Sequence, residues 1–276
     1  MPPASLYPTT LAPVALRETV TRALPGIGAE WQPLSGGRTN HVWRVGDVVV
    51  KSYDPAAASA LFPNDPLAEV AALRHFAPLG LAPDLLAFGA AWVAYRHVPG
   101  QAWGTDVASV ATLLARLHQS PLPHPPFRML ATGAQALAEQ TRQMMAMAGL
   151  HAEIPQTPDL PPVTPRPVHG DAVAGNIIVG PQGLRLIDWQ CPALGDPAED
   201  IATFLSPAMQ TLYRGHPLSL PQVKAFLAAY PDASVAKRYR SLRPLFRLRM
   251  QAHCLLRAAR GDAGYAAAAL AERDAP

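Results

Sequence analysis

The stretch Val168-His-Gly-Asp-Ala-Val-Ala-Gly-Asn-Ile-Ile-Val179, carried on by Leu184-Arg-Leu-Ile-Asp-Trp189, decides how this chain reads. It is the densest polar cluster in an otherwise apolar region. Asp171 and Asn176 stand five residues apart on a loop that runs into a predicted β-hairpin. Its strands are Asn176–Val179 and Leu184–Asp188, joined by Gly180-Pro-Gln-Gly183. An amide at the start of one strand and a carboxylate at the end of its neighbour then lie side by side. Such a pair of hard oxygen donors suits magnesium, with nucleotide phosphates completing the shell. Asp171, a few residues upstream, is placed to meet a substrate hydroxyl. Either aspartate alone reads as a turn cap or a strand end. The full set of HxDxxxxN, hairpin and Ile187-Asp188-Trp189 is far more specific.

Working outward, the N-terminal third reads as strands interrupted by one helix. The turn-rich Leu34-Ser-Gly-Gly-Arg-Thr-Asn40 separates two β-like segments. His41–Val45 and Val48–Lys51 are joined by Gly46-Asp47, a hairpin signal. Asp65 and Pro66 suit the N-cap and first position of a helix whose apolar face is Leu67, Val70, Leu73 and Phe76. Two β-like runs follow, Asp84–Phe88 and Ala91–His97, before Val98-Pro-Gly100. From Gly104 on the patterns are helical, at Asp106–Gln119, Thr132–Leu150, Asp196–Leu205, Leu220–Tyr230 and Ser234–Arg260. The Pro-rich segment from Pro155 to Pro167 reads as a stiff connector. The expected class is α+β. Residues 1–98 form a small β-rich N-lobe, with an N-terminal helix, about five strands and one further helix. Residues 99–276 form a larger, mostly helical C-lobe that carries the loop and the hairpin. A cleft between two such lobes is a common place for a ligand.

Composition excludes several classes. With 276 residues, 49% of them apolar, and a net charge of +3, the chain can bury a core and is not disordered. No run of eighteen apolar residues suggests a membrane span. The start MPPASLYPTTLAP lacks a basic segment followed by an apolar one, so a cytoplasmic location is expected. Cys191 and Cys254 lack metal-ligand spacing and read as small buried residues. Only three of the 23 basic residues are lysines: Lys51, Lys224 and Lys237. The many arginines come with many alanines and prolines and no basic-aromatic stripe, so no nucleic-acid partner is expected. Lys51 stands out at the end of a buried-looking strand.

HGDAVAGN and LIDW resemble the catalytic loop and metal motif of the aminoglycoside phosphotransferase and choline kinase superfamily. These are small-molecule kinases related in fold to protein kinases. LSGGRTNHVWRV resembles the phosphate-covering loop, and VVVK the third strand with its lysine. The helix containing Glu69 resembles the one whose acid pairs with that lysine. LLARLH at 113–118 and GDPAEDIA at 195–202 also match, so the resemblance covers nearly the whole chain.

The resemblance implies a bilobal protein-kinase-like fold. It also implies transfer of the γ-phosphate of ATP, with Mg2+, to a small-molecule alcohol. Phosphoryl transfer rests on positioning and charge stabilisation. Lys51 would hold the α- and β-phosphates and Glu69 would orient it. Asn176 and Asp188 would hold magnesium, and Asp171 would take the hydroxyl proton. Ser35, Gly36, Gly37, Arg38 and Asn40 would cover the phosphates, in part through backbone N–H groups. Tyr95 to Val98, His97 included, would lie at the adenine. His169 and His118 read as buttresses, Asp196 as a helix N-cap and Asp200 as a tie to the catalytic loop.

Trp189 and Glu199 are candidates for substrate contact, and Trp103, Tyr213 and Tyr265 could join Trp189 around a cation, though each of these aromatics reads first as core or surface packing. Arg238, Arg240, Arg243, Arg247, Arg249, Arg257 and Arg260 read as a solvated helix face, the alternative being a wall for an anionic acceptor. Ile187-Asp188-Trp189-Gln190 is closer to the form of choline- and thiamine-kinase-like members, and the C-terminal third holds few carboxylates. Both favour a choline- or thiamine-like alcohol. An aminoglycoside O-phosphotransferase and a catalytically silent nucleotide-binding pseudokinase scaffold are the alternatives, and the oligomeric state stays open. Five competent core residues weigh against the scaffold. The lack of DFG and APE motifs weighs against a protein kinase.

Overall fold

The computed structural model describes residues 11–34, 38–124, 127–156 and 158–275. They form two compact units, one made of residues up to 102 with 176–192 and the other of 103–175 with 193 onward.

The first unit is built on a five-stranded antiparallel sheet in the order β1-β2-β3-β5-β4. Its strands are β1 (Gln32–Pro33), β2 (His41–Val45), β3 (Val48–Ser52), β4 (Leu85–Gly89) and β5 (Trp92–Arg96). Gly46 takes a φ of +62° in the β2–β3 turn, a conformation glycine adopts without strain. The helix α1 (Val14–Ala23) sets Val20 into a core with Val45, Val50, Trp92 and Ala94. Lys51 follows Val50 on β3 and is buried.

The helix α2 (Pro66–Phe76) starts as expected, with Asp65 accepting from the backbone N–H groups of Leu67 and Ala68. Its buried face differs from the expected one. Leu67 is two-thirds exposed, while Glu69 lies fully buried beside Val70, Leu73 and Phe76. The helix thus places a carboxylate on its core face.

The strands β6 (Gln101–Ala102), β8 (Ile177–Gly180) and β9 (Gly183–Leu186) form a second, three-stranded sheet. Residues 176–192 therefore pack with the first unit, whereas a single boundary at 98 would put this hairpin with the C-terminal residues. β8 pairs with β6, Leu186 N–H donates to Leu81 O at 3.0 Å, and Trp189 stacks on Phe76 with ring centroids 4.6 Å apart.

In the second unit β7 (Arg166–Val168) pairs with β10 (Ala193–Gly195), and helices supply the rest. They are α3 (Val107–His118), α4 (Ala134–Met147), α5 (Ala198–Leu205), α6 (Pro207–Arg214), α7 (Leu220–Ala229), α8 (Ala233–Ala259) and α9 (Tyr265–Asp274). The short α6 and the alanine-rich α9 are additions to the sequence reading. Buried Glu272 of α9 accepts from the Ser206 hydroxyl at 2.7 Å and from Ala208 N–H at 3.0 Å, tying the two together.

Several arginines of α8 depart from a solvated face, because α4, α5 and α9 all pack on this helix, while Arg240 and Arg260 are exposed. Arg249 and Arg257 are buried and pair with Glu199 and Asp262. Arg238 bonds Asp196 at 2.5 Å, and Arg247 donates to the main-chain oxygen of Ala275 at 2.7 Å.

Burial within this helix array, with Arg257, Arg260 and Arg249 adding to it, pushes the His253 imidazole down to about 3. The unfolded chain takes up that proton near the ordinary histidine value and the folded chain does not until about pH 3. Stability is therefore lost as pH falls through this window. Between pH 7 and 4.5 the native protein should lose about 2 kcal/mol more than a His253→Leu variant. Urea denaturation at the two pH values measures the difference, and equal losses would contradict it.

Candidate active site

The polar centre of the first unit is built around Lys51. Its Nζ donates to Glu69 Oε2 at 2.6 Å and forms a second ion pair with Asp188. The Tyr53 hydroxyl donates to the same Glu69 oxygen, and Nζ lies 4.9 Å from the Tyr53 ring centroid. Glu69 Oε1 is buried and has no hydrogen-bond partner among the described residues.

Burial opposes the Lys51 charge, but the two carboxylates outweigh it and hold the ammonium well above the ordinary lysine range. Burial raises Glu69 despite the pull of Lys51. Burial and Glu69 together push the Tyr53 phenol far up. Lys51 is thus a permanent cation, and Tyr53 a permanent hydrogen-bond donor.

Asp188 follows β9 by two residues at a φ of +64°, the one non-glycine residue with positive φ among those described. Its side chain is a quarter exposed. Such a conformation is sparsely populated even by aspartate and persists where the surroundings enforce it. Asn176 closes the short helical turn Ala174–Asn176, and its main-chain oxygen accepts from Ile187 N–H at 2.9 Å. With Ile177 opposite Leu186, the hairpin brings Asn176 and Asp188 to the same end. A carboxylate and an amide oxygen there fit magnesium, which takes few protein oxygens and keeps waters and phosphates for the rest.

The other expected nucleotide contacts separate. Ser35, Gly36 and Gly37 lie outside the described residues, and Arg38 is half-buried next to them. The Asn40 side chain makes protein contacts. Its amide exchanges bonds of 2.8 Å with Asn64, donates to Gln190 Oε1 at 2.6 Å and accepts from Asp54 N–H. Gln190, next to Trp189, thereby anchors the segment entering β2, and sequence reasoning passed over it. Buried Tyr95 lies within electrostatic reach of Lys51, Glu69 and Asp188. His97 donates its N–H to Asp47 O at 2.7 Å and lines a cavity of about 280 Å³ with Pro99 and the β8–β9 turn.

Asp171 belongs to the second unit, where its loop is held from behind. The fully buried Asp200 accepts from His169 N–H and Gly170 N–H, both at 2.8 Å, and meets His118 Nε2 at 3.1 Å. His118 Nδ1 meets the Tyr230 hydroxyl at 2.7 Å. Burial opposes the Asp200 charge, yet His118 and the backbone donors hold its carboxyl below the usual range. Asp171 N–H donates to His169 Nδ1 at 3.3 Å, and Gly170 takes a φ of +78°. His118, His169 and Asp200 are thus the supports the sequence suggested, and Tyr230 extends them. Asp196 accepts from Ala198 N–H at 3.0 Å, but Pro197 rather than Asp196 precedes the first helical residue of α5.

Two residues singled out for substrate contact make contacts within the protein. Trp189 is fully buried against Phe76, and its Nε1 donates to Leu186 O, so it is a core residue. Glu199 is paired with buried Arg249, which also donates to Gln140 Oε1 at 2.9 Å. Trp103 and Tyr265 are buried too, Trp103 on Phe204 and Tyr265 beneath Arg257.

Comparison with known proteins gives the family and the fold. A family model described as the phosphotransferase enzyme family matches residues 30–272, and the chain belongs to that family. A thiamine kinase of Salmonella heidelberg is 28% identical over 190 residues. That match covers 64% of this chain and 65% of the relative, a little under two thirds of its length. A choline/ethanolamine kinase family protein from Mesorhizobium loti superposes with a TM-score of 0.64 at 16% identity, over 95% of this chain and 96% of that one. An aminoglycoside phosphotransferase solved with ADP bound gives 0.60 at 13% identity, over 94% and 98%. These likenesses establish a protein-kinase-like phosphotransferase fold of α+β class. Among the described residues no helix is long and apolar enough to cross a membrane.

Proposed function

We propose that this chain is a small-molecule kinase that uses ATP and magnesium to phosphorylate an alcohol, a thiamine- or choline-like one being favoured. The observation that carries the reading is the buried Lys51, bonded at once to Glu69 and Asp188. A lysine kept charged at the cost of burial, with one partner sealed and one partly exposed, suits a group that trades the exposed partner for phosphates.

In this reading Lys51 keeps Glu69 and turns its remaining hydrogens to the α- and β-phosphates. Asn176 and Asp188 hold magnesium, which when bound neutralises phosphate charge. Asp171 accepts a hydrogen bond from the acceptor hydroxyl. The acceptor oxygen bonds to the γ-phosphorus as the bond to the β–γ bridging oxygen breaks. Asp171 takes the proton, and the products are ADP and a phosphomonoester. The need for ATP agrees with a cytoplasmic setting.

The acceptor class rests on the relatives and on charge. Thiamine kinases are among the curated relatives, and choline kinase family proteins among the structural neighbours. Neutralisation of Glu199 by Arg249 removes a carboxylate that a polycationic aminoglycoside would want. The test is ADP formation with MgATP and a panel of thiamine, choline, ethanolamine, homoserine and kanamycin. Thiamine or choline should stimulate most. Preference for kanamycin would move the assignment to antibiotic phosphorylation, and nucleotide binding without turnover on any alcohol would favour a silent scaffold.

A further inference from the structure

We infer that Tyr53 is a positioning residue for the proposed phosphoryl transfer: its hydroxyl holds the one Glu69 oxygen that Lys51 uses, and so sets where the Lys51 ammonium stands. The inference rests on the nucleotide reading above and adds a residue to it.

Tyr53 lies one residue past β3, and its side chain is buried. Lys51 Nζ and the Tyr53 hydroxyl both donate to Glu69 Oε2, Lys51 at 2.6 Å. Nζ also stands 4.9 Å from the centroid of the Tyr53 ring, close enough for attraction between cation and ring face. A single side chain therefore touches both members of the ion pair.

The other Glu69 oxygen, Oε1, is buried with no hydrogen-bond partner among the described residues, so the polar hold on this carboxylate passes through Oε2. Without the hydroxyl, Lys51 is the one donor left to the Glu69 carboxylate among the described residues. The carboxylate then loses the second direction that fixes its torsion, and the ammonium shifts toward Asp188. Tyr53 does not act as a base itself, since burial and the neighbouring Glu69 keep its phenol protonated.

The consequence is selective. Phosphate groups bound through Lys51 feel the displacement, and a nucleoside without phosphates does not. Tyr53→Phe keeps the ring and its packing and removes only the hydroxyl. Equilibrium titrations of ADP, with magnesium, and of adenosine should be run on the native protein, Tyr53→Phe, Lys51→Met and the double variant.

Tyr53→Phe should weaken ADP about tenfold, the scale of one hydrogen bond to a charged group, and leave adenosine within about twofold. On the Lys51→Met background it should add nothing, because its effect runs through Lys51. Unchanged ADP affinity, parallel loss of ADP and adenosine, or an undiminished further loss in the double variant would each overturn the positioning role. A native protein that binds no ADP would overturn the nucleotide reading itself, and a silent titration of the native chain separates that failure from the others.

Discussion

Replacing Asp171 by asparagine should lower turnover by about 10²–10⁴-fold while leaving the affinity for MgATP within about twofold. The substitution keeps size and shape and removes the group proposed to take the acceptor proton. Its surroundings argue against a folding defect. The loop is fixed by Asp200, which receives His169 N–H and Gly170 N–H and meets His118, and none of these bonds uses the Asp171 carboxylate. Steady-state rates with the best acceptor, set beside calorimetric titration of MgATP, separate chemistry from binding. A variant that turned over at the native rate would remove Asp171 from the mechanism. One that lost nucleotide affinity instead would assign it to the phosphates.

Lys51→Met should have a double effect, on activity and on stability. Turnover should fall about 10²–10³-fold, the usual cost of deleting one charge-stabilising donor. Stability should fall by about 3–5 kcal/mol, because Glu69 is fully buried and is left, among the described residues, with the Tyr53 hydroxyl alone. For a chain of this size each kcal/mol is worth about 2–4 °C in Tm. Burial already raises the Glu69 carboxyl, so in the variant it folds as the neutral acid and part of the loss is recovered. Adding Glu69→Gln to Lys51→Met should therefore restore part of the Tm and none of the turnover. Calorimetric melting with initial rates on the two variants reads both. A Tm unchanged by Lys51→Met would mean that the ion pair adds nothing to the fold.

Much of this arrangement was legible in the sequence because it is local or bound to a fixed register. Asp65 and Pro66 start α2, Gly46-Asp47 turns β2 into β3, and the β8–β9 hairpin sets Asn176 and Asp188 at one end. The pairing of Lys51 with Glu69 spans 18 residues and followed from motif order alone.

What stayed hidden depends on the third dimension. Tyr53 carries no motif, and its bond to Glu69 exists only because α2 turns a carboxylate toward the core. The signal available was weak: a tyrosine two residues past Lys51 at the end of a buried strand. Trp189 was a candidate for a cage around a cation, with core packing as the other reading. At the positive φ of Asp188 the chain leaves the strand direction, and the indole packs on Phe76. Arg249 and Arg257 looked solvated because periodicity cannot tell a helix with one free face from one covered by α4, α5 and α9. Glu199 was legible as a carboxylate on α5, but its partner Arg249 lies fifty residues away.

The most direct test of the central claim is phosphorus NMR of the native protein incubated with ATP, magnesium and thiamine. The expected result is loss of the γ-phosphate resonance, matched by growth of ADP and of one phosphomonoester signal, and dependent on both metal and alcohol. ATP that stays intact with thiamine and with every other alcohol of the panel, or that yields inorganic phosphate alone, would contradict the assignment.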